Sequence, residues 1–396
     1  MPEFTLDMYQ TAGVAMLLFV LGRFLTNRIE FLKRCCIPAP VVGGLIFAIA
    51  HLVLYSCGVV QLSFDDNVKS FFMTLFFTSV GYTACFRLLK QGGKKVFTFL
   101  LVAIVMVCLQ DVVGAALAKV FGWDMRLGLC TGSIPMVGGH GTAGAFGPVL
   151  EDFGIQGATT LCTAAATYGL IAGSMMGGPI GKMLIERHNL LATVVPEDDS
   201  LLVEEEIKHE RHTTMYPAAS FQLIIAMGIG TVLSKVLSLT GMTFPIYIGA
   251  MIAAAFIRNV GEYGGGYTVY MGEINDIGGI CLSLFLGMAM ITLKLWQLAS
   301  LAGPMIVMLA AQVVLMFVFA RFVVFNIMGR DYEAAVMTSA FCGFGMGATP
   351  NAMANMQAIC DRYSPSVKAY LLIPLVGSLF ADFLNSLVIT VFINFI

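Results

Sequence analysis

Apolar residues along this chain fall into blocks of about twenty, the length a helix needs to cross a hydrocarbon core. The blocks are Met8–Leu25, Pro40–Val60, Val68–Leu88, Val96–Phe121 and Ala158–Leu184, then Pro217–Leu239, Phe244–Ile257, Ile277–Leu298, Gly303–Ile327 and Val367–Phe395. They predict ten spanning helices. The first block has no basic leader and no small-residue cleavage site around it, so it is expected to stay in the mature chain.

Two further stretches, 127–149 and 334–359, are apolar enough for a bilayer but are interrupted. The first carries Pro135, Gly138, Gly139, Gly141, Gly144 and Gly147; the second carries Gly343, Gly345, Gly347 and Pro350. Broken backbone survives at membrane depth only where protein buries it or where it lines a cavity. Both stretches are therefore expected to be re-entrant hairpins. The long polar insertion, residues 186–214, holds Glu197, Asp198, Asp199, Glu204, Glu205 and Glu206 and reads as a solvated linker between two halves. Its His188, His209 and His212 lack a fixed ligand spacing, and no metal site is expected there.

The interrupted stretches align with each other without a gap. Phe121-Gly122-Trp123-Asp124 faces Met328-Gly329-Arg330-Asp331, and at the same offset Thr131 faces Thr338, Gly138 faces Gly345 and Thr142 faces Thr349. Each stretch follows four blocks and precedes one. A repeat with five crossings is odd-numbered, so its second copy enters the membrane the other way up. The expected fold is an all-α polytopic membrane protein built from two inverted repeats of five helices, residues 1–185 and 215–396, each with one hairpin.

Composition agrees with the pattern. Of 396 residues, 58% are hydrophobic and 12% are charged, too few charges to cover a soluble surface of that size. The net charge of −2 offers no basic footprint for nucleic acid. Ten cysteines, with no CxxC among them, read as small hydrophobes within helices. Basic residues set the topology: with the N-terminus outside, 17 of the 22 lie on the cytoplasmic side and 5 outside. Both termini are then external and the linker is cytoplasmic.

The candidate chemistry lies in the hairpins. In Val137-Gly138-Gly139-His140-Gly141-Thr142, glycines let backbone N–H groups approach a ligand, and a short helix begins at depth. Helix N-termini carry unpaired donors and partial positive charge, and they bind carboxylates. The second hairpin repeats this through Gly343, Gly345, Gly347, Thr349, Pro350 and Asn351, with Pro350 suited to a first helical turn. Two such N-termini from opposite faces would make an anion site without a buried arginine. His140 is read either as a hydrogen-bond donor or as a proton carrier. Asp111 and Asp382 are ionisable residues within predicted spans. Asp382 shares a helix face with Asn385, and with Ser133 and Asn355 these form the candidate oxygen ligands for sodium. For Asp382, holding a substrate ammonium and a structural hydrogen bond remain open alternatives, and for Asp111 the structural role is the expected one. Gln110 and Gln312 are expected to join helices. Ser133 with His140 is the nearest approach to a nucleophile–base pair and nothing orients it, so no enzyme is expected.

The strings GGHGT (138–142), CGFGMGATP (342–350) and NAMANM (351–356) resemble the bacterial sodium/glutamate symporters, as do LSLFL (282–286), LKLW (293–296) and IPAPV (37–41). The resemblance covers nearly the whole chain. It implies sodium-driven uptake of L-glutamate by a homodimer in the bacterial inner membrane, with sodium as the coupling ion and no organic cofactor. It also implies an elevator-type arrangement of static helices and a moving unit that carries the hairpins. The alternative on the same architecture is a symporter of citrate or malate, which would be expected to place arginines against the extra carboxylate. A passive channel is disfavoured by paired broken hairpins.

Overall fold

The computed structural model describes residues 2–35, 37–87, 93–193, 213–241, 244–264, 268–298, 302–347, 349–366, 369, 372–373, 376 and 381–396. Most of the predicted linker (194–212, with Glu204–Glu206, His209 and His212) and the start of the last predicted span lie outside the described residues.

The chain begins with strand β1 (Glu3–Leu6), followed by helices α1 (Met8–Arg28), α2 (Glu30–Arg34) and α3 (Ala39–Ser56). Strand β2 (Gln61–Phe64) and helix α4 (Asn67–Thr83) follow, then α5 (Gly93–Val120). The first interrupted stretch forms α6 (Met125–Leu129), α7 (Ser133–Met136) and α8 (Gly139–Asp152), and α9 (Ala158–Arg187) closes the first half. The second half opens with α10 (Tyr216–Ser238), α11 (Ile246–Gly264) and α12 (Met271–Ile291). Helix α13 (Ala302–Phe319) runs through a π turn (Ala320–Val324) into α14 (Phe325–Met328). The second interrupted stretch is α15 (Tyr332–Met346) and α16 (Thr349–Arg362), and α17 (Asp382–Phe395) ends the chain.

Among the described residues, six helical runs are long and apolar enough to cross a membrane: Met8–Arg28, Ala39–Ser56, Gly93–Val120, Thr213–Ser238, Met271–Ile291 and Ala302–Met328. This is a multi-pass membrane protein. Leu17, Phe221, Phe256 and Ile306 stand exposed on helix surfaces, the pattern expected where hydrocarbon is the solvent.

Two expectations need correction. The fold is not purely helical, because β1 and β2 pair as a parallel ladder, Glu3 opposite Gln61 through Leu6 opposite Phe64. Four-residue strands are invisible to a pattern read in blocks of twenty. The block Ile277–Leu298 is also shifted: helix α12 starts six residues earlier, taking Glu273 and Asp276, and stops at Ile291. Glu273 lies in the first turn, where the helix dipole favours an acidic side chain.

The chain packs as two compact units. The first comprises Met1–Tyr82, His140–Ala164 and Tyr216–Ile306; the second comprises Thr83–Gly139, Ala165–Met215 and Val307–Ile396. Each unit therefore draws on both sequence halves. The first takes α1, α3 and α4 from one half and α10, α11 and α12 from the other, and it also holds α8 from residue 140 onward.

Small residues fix the crossings in the first unit. A Cβ on Gly22 would collide with the Ala39 carbonyl, and one on Gly43 with that of Leu18, so α1 and α3 meet backbone to backbone. Helices α10 and α11 meet the same way at Gly230 and Gly249. These glycines lie within one position of the offset that pairs Asp124 with Asp331. Likewise Gly44 abuts Met290, and Gly81 abuts Met251. The first contact thus has a near counterpart in the second with the glycine and methionine exchanged. Around Tyr247 the core is aromatic, with Phe77 at 4.7 Å and Phe146 at 5.4 Å between ring centroids.

Candidate functional site

Both interrupted stretches are entered through the same device. Helix α5 ends at Gly122, whose φ of +75° lets Trp123 N–H donate back to the Ala118 carbonyl (2.9 Å). Helix α14 ends at Gly329 with φ +126°, and Arg330 N–H donates to the Phe325 carbonyl (3.2 Å). Such left-handed closures satisfy carbonyls at a helix end and favour glycine. Two residues on, Asp124 accepts from Arg126 N–H (2.8 Å), and Asp331 accepts from Ala334 N–H (2.7 Å). Each aspartate caps the next helix. The aligned Gly-x-Asp triplets are thus a helix stop followed by a helix start.

The ascending arm of the first stretch is made of two short helices, and Asp111 of α5 holds it. Its carboxylate accepts from Ser133 N–H (2.7 Å) and from the Ser133 hydroxyl (2.9 Å), at the start of α7. The Ser133 carbonyl then accepts from Val137 N–H, from Gly138 N–H and from Asn385 Nδ2 (3.3 Å). Asp111 thus has the structural part expected of it. Two sodium candidates, Ser133 and Asn385, are brought together, and Asp382 opens α17 one turn before Asn385.

Glutamines tie this region to the second stretch. Gln110 Nε2 donates to the Gly345 carbonyl (2.7 Å), and Gln312 Nε2 donates to the Gln110 carbonyl (2.9 Å). Both join helices, as their positions predicted. The Oε1 atoms of Gln110 and Gln312 and the Oδ1 of Asn385 are buried without a hydrogen-bond partner among the described residues. Unpaired buried amide oxygens are rare. Here they leave acceptors in the interior of the second unit.

The returning arm of the second stretch is clamped to α9. Asn351 Nδ2 donates to the Leu170 carbonyl (3.0 Å), and Asn351 Oδ1 accepts from the Ser174 hydroxyl (2.5 Å). Asn355 Nδ2 donates to the Gly173 carbonyl (2.9 Å). The Asn351 side chain is therefore engaged at both ends by helix packing, and what Asn351 retains for a ligand is backbone. The seam is possible because α9 presents glycine every fourth residue. A Cβ on Gly169 would strike the Met346 carbonyl, on Gly173 that of Cys342, on Gly177 the Asn355 amide, and on Gly181 the Ile359 side chain. The sequence reading missed this stripe. Its signal was present as G-x-x-x-G spacing from 169 to 181.

The tips meet. Gly139 has φ +59°, and a Cβ there would stand 2.9 Å from the Gly347 carbonyl oxygen. Gly347 is itself enclosed: a Cβ would lie 2.6 Å from Asn351 Nδ2 and 3.1 Å from the Gly343 carbonyl. Gly343 packs against the backbone of Asn351 and Ala352, while Gly345 faces the mobile end of the Met316 side chain. Thr349 and Pro350 open α16 as predicted, with Pro350 exposed, and Ala348 lies outside the described residues. His140, Gly141 and Thr142 belong to the first unit, where His140 and Thr142 are buried. A Cβ on Gly141 would meet Leu282 at 3.4 Å and Phe76 at 3.5 Å.

The close backbone approach of Gly139 to the Gly347 carbonyl suits binding of a charged solute by main-chain groups. The comparisons with known proteins point the same way. The family described as sodium/glutamate symporter matches residues 4–365. The chain belongs to the sodium/glutamate symporter family. Its relatives include the sodium/glutamate symporter of Escherichia coli (strain K12), 37% identical over 394 residues and covering 98% of each chain. That of Haemophilus influenzae is 37% identical over 396 residues, again with 98% of each chain covered. A member of this family is a transporter and not an enzyme. The residues quoted above are accordingly read for binding and movement.

Proposed function

We propose that the protein is a sodium-coupled symporter that imports L-glutamate across the bacterial inner membrane by alternating access. Glutamate and sodium come from the names of the relatives; the observation that carries the site is the approach of Gly139 to the Gly347 carbonyl. Two 14-residue helices, α8 and α16, start at these tips. Their free N–H groups suit the two carboxylates of the substrate. Neither 127–149 nor 334–359 contains lysine or arginine, so the helix starts are the positive element. In this reading Gly138, Gly139, His140, Gly141 and Thr142 of one hairpin and Gly343, Gly345, Gly347, Thr349, Pro350 and Asn351 of the other form the substrate site.

The coupling ion is assigned to Ser133, Asn355, Asp382 and Asn385. The Ser133 hydroxyl gives its proton to Asp111, which leaves its oxygen lone pairs for a cation, and Asn385 offers an unpartnered oxygen. The inverted-repeat reading is supported by the matched Gly-x-Asp entrances and by the repeated glycine crossings. The elevator reading draws support from the units: α15, α16 and the ascending arm of the first hairpin share one unit with α5, most of α9 and α17. External termini, a cytoplasmic linker and a homodimer complete the proposal.

Purified protein in liposomes tests it through uptake of labelled L-glutamate with an inward sodium gradient. Uptake should vanish when choline replaces sodium and persist when the proton gradient is collapsed. Excess 2-oxoglutarate or citrate should compete at least tenfold more weakly than unlabelled glutamate, because loss of the ammonium leaves a buried partner unpaired. Equal competition by 2-oxoglutarate would overturn the amino-acid assignment.

A further inference from the structure

The second unit contains a cavity of about 510 Å³ that the transport reading leaves unused. Arg321, Arg330, His188 and Asn326 line it together with Phe322 and Phe325. Its cationic residues are placed by unusual backbone. Arg321 sits in the π turn Ala320–Val324, within the last two turns of the apolar run Ala302–Met328. One extra residue per turn rotates the following side chains relative to an α-helix, and such turns recur at functional sites. Arg330 has φ +58°, a left-handed conformation uncommon outside glycine. The His188 ring stacks on Phe325 at 5.3 Å.

Among the described residues no carboxylate lines this cavity and neither arginine forms an ion pair. Among the described residues the Arg321 side chain makes one hydrogen bond, from Nη1 to the Met183 sulfur at 3.5 Å, a weak acceptor. Two guanidinium groups facing one space repel unless an anion lies between them, and their planar forks match phosphate oxygens in pairs. The surroundings narrow the choice of anion. Val314, Val318 and Phe322 recur every fourth residue along this helix run up to the cavity, and they are 61%, 46% and 57% exposed. A free anion would use the arginines and none of this face. An amphiphile would use both.

We propose that the cavity holds the phosphate headgroup of an anionic phospholipid, with an acyl chain along Val314, Val318 and Phe322. The proposal is independent of the identity of the transported solute. It is tested on the full-length protein in phosphatidylcholine nanodiscs with and without phosphatidylglycerol. Retained lipid is read by native mass spectrometry, and thermal unfolding is followed in parallel. The wild type should retain phosphatidylglycerol in preference to phosphatidylcholine and unfold at higher temperature when it is present. The double variant R321Q/R330N should lose about tenfold in that preference. Asparagine is chosen at 330 because it tolerates the left-handed conformation. The single variant R321K, which keeps the charge but not the fork, should fall between wild type and double variant. If R321K matches the double variant while unfolding like the wild type, the loss still tracks the fork and supports the site. Preference unchanged in all variants would overturn the proposal. So would stabilisation of the wild type by inorganic phosphate alone, which would assign the cavity to a soluble anion.

Discussion

In the second interrupted stretch both arms are continuous helices, α15 and α16, and both lie in one compact unit. In the first, the ascending arm is broken into α6 and α7, and the chain passes from the second unit to the first between Gly139 and His140. The anchoring differs accordingly. Asparagines 351 and 355 donate to α9 carbonyls across a glycine stripe, which fastens the second hairpin by side-chain hydrogen bonds. Past its tip, the first hairpin is fastened by apolar packing: Gly144 lies against Phe285, and Phe146 stacks edge-on to Tyr247. The lesson is that two stretches entered through the same Gly-x-Asp helix ends can hold their arms by different packing.

The comparison breaks first at the tips, where the largest effect is expected. Gly139→Val places a β-branched residue at positive φ against the Gly347 carbonyl oxygen, and neither backbone can yield cheaply. Sodium-driven uptake should fall below detection while the protein remains in the membrane. Gly345→Val meets the terminal methyl of Met316, which can swing away, and φ is not unusual there. It should keep measurable uptake. Equal loss in both variants would mean that bulk anywhere in these stretches is fatal, and the tip contact would hold no special place. Normal uptake by Gly139→Val would remove the tip from the substrate site altogether.

The anchoring difference predicts an intermediate effect. Asn355→Leu removes the side-chain donor to the Gly173 carbonyl and introduces a branched side chain beside Gly177. Loss of a buried hydrogen bond alone costs about 0.5–1.5 kcal/mol. Thermal unfolding in detergent should shift clearly below that of the wild type. Asn351→Leu should behave similarly, since it removes both the bond to Leu170 and the one from Ser174. On the first hairpin, Phe146→Leu trims an aromatic contact without orphaning a polar group and should cost less. If Phe146→Leu proves the more damaging, the hydrogen-bonded seam is not what distinguishes the two hairpins.

How much of this was legible in the sequence varies with the kind of signal. Of the ten spans that hydropathy predicts, six are helical runs long and apolar enough to cross a membrane among the described residues, and both interruptions follow from glycine and proline. The Gly-x-Asp entrances were visible as a repeat, and their meaning as a stop and a cap needed the φ angles of Gly122 and Gly329. Ser133 with Asn385 could not be paired from sequence, because 252 positions separate them. The stripe from Gly169 to Gly181 was legible by spacing, yet nothing in the chain says which helix it faces. The β1–β2 ladder was hidden by brevity: four residues of Glu-Phe-Thr-Leu carry no signal on the scale of a span. Asn351 shows the limit for sites. Its place beside Pro350 suggests a ligand contact, whereas its side chain is turned to Leu170 and Ser174.

The smallest expected effect tests the feature the two hairpins share. Gly122 and Gly329 both end a helix at positive φ, but not in the same region. At +75°, Gly122 is close to the left-handed conformation that alanine reaches at a cost of roughly 1–2 kcal/mol, and a Cβ there meets nothing within 4 Å. At +126°, Gly329 lies where side chains are rarely found, and a Cβ would stand 3.4 Å from the Asp331 carboxylate that caps α15. Gly122→Ala should therefore lower the unfolding temperature slightly, and Gly329→Ala should lower it more. Neither residue touches the tips, so the sodium dependence of uptake should be unchanged in both. Thermal unfolding of the two variants beside the wild type, at one scan rate, reads the difference. Equal shifts would mean that the two entrances relax to a common geometry. A loss of uptake in Gly122→Ala at unchanged stability would show that the entrance takes part in transport and does more than end a helix.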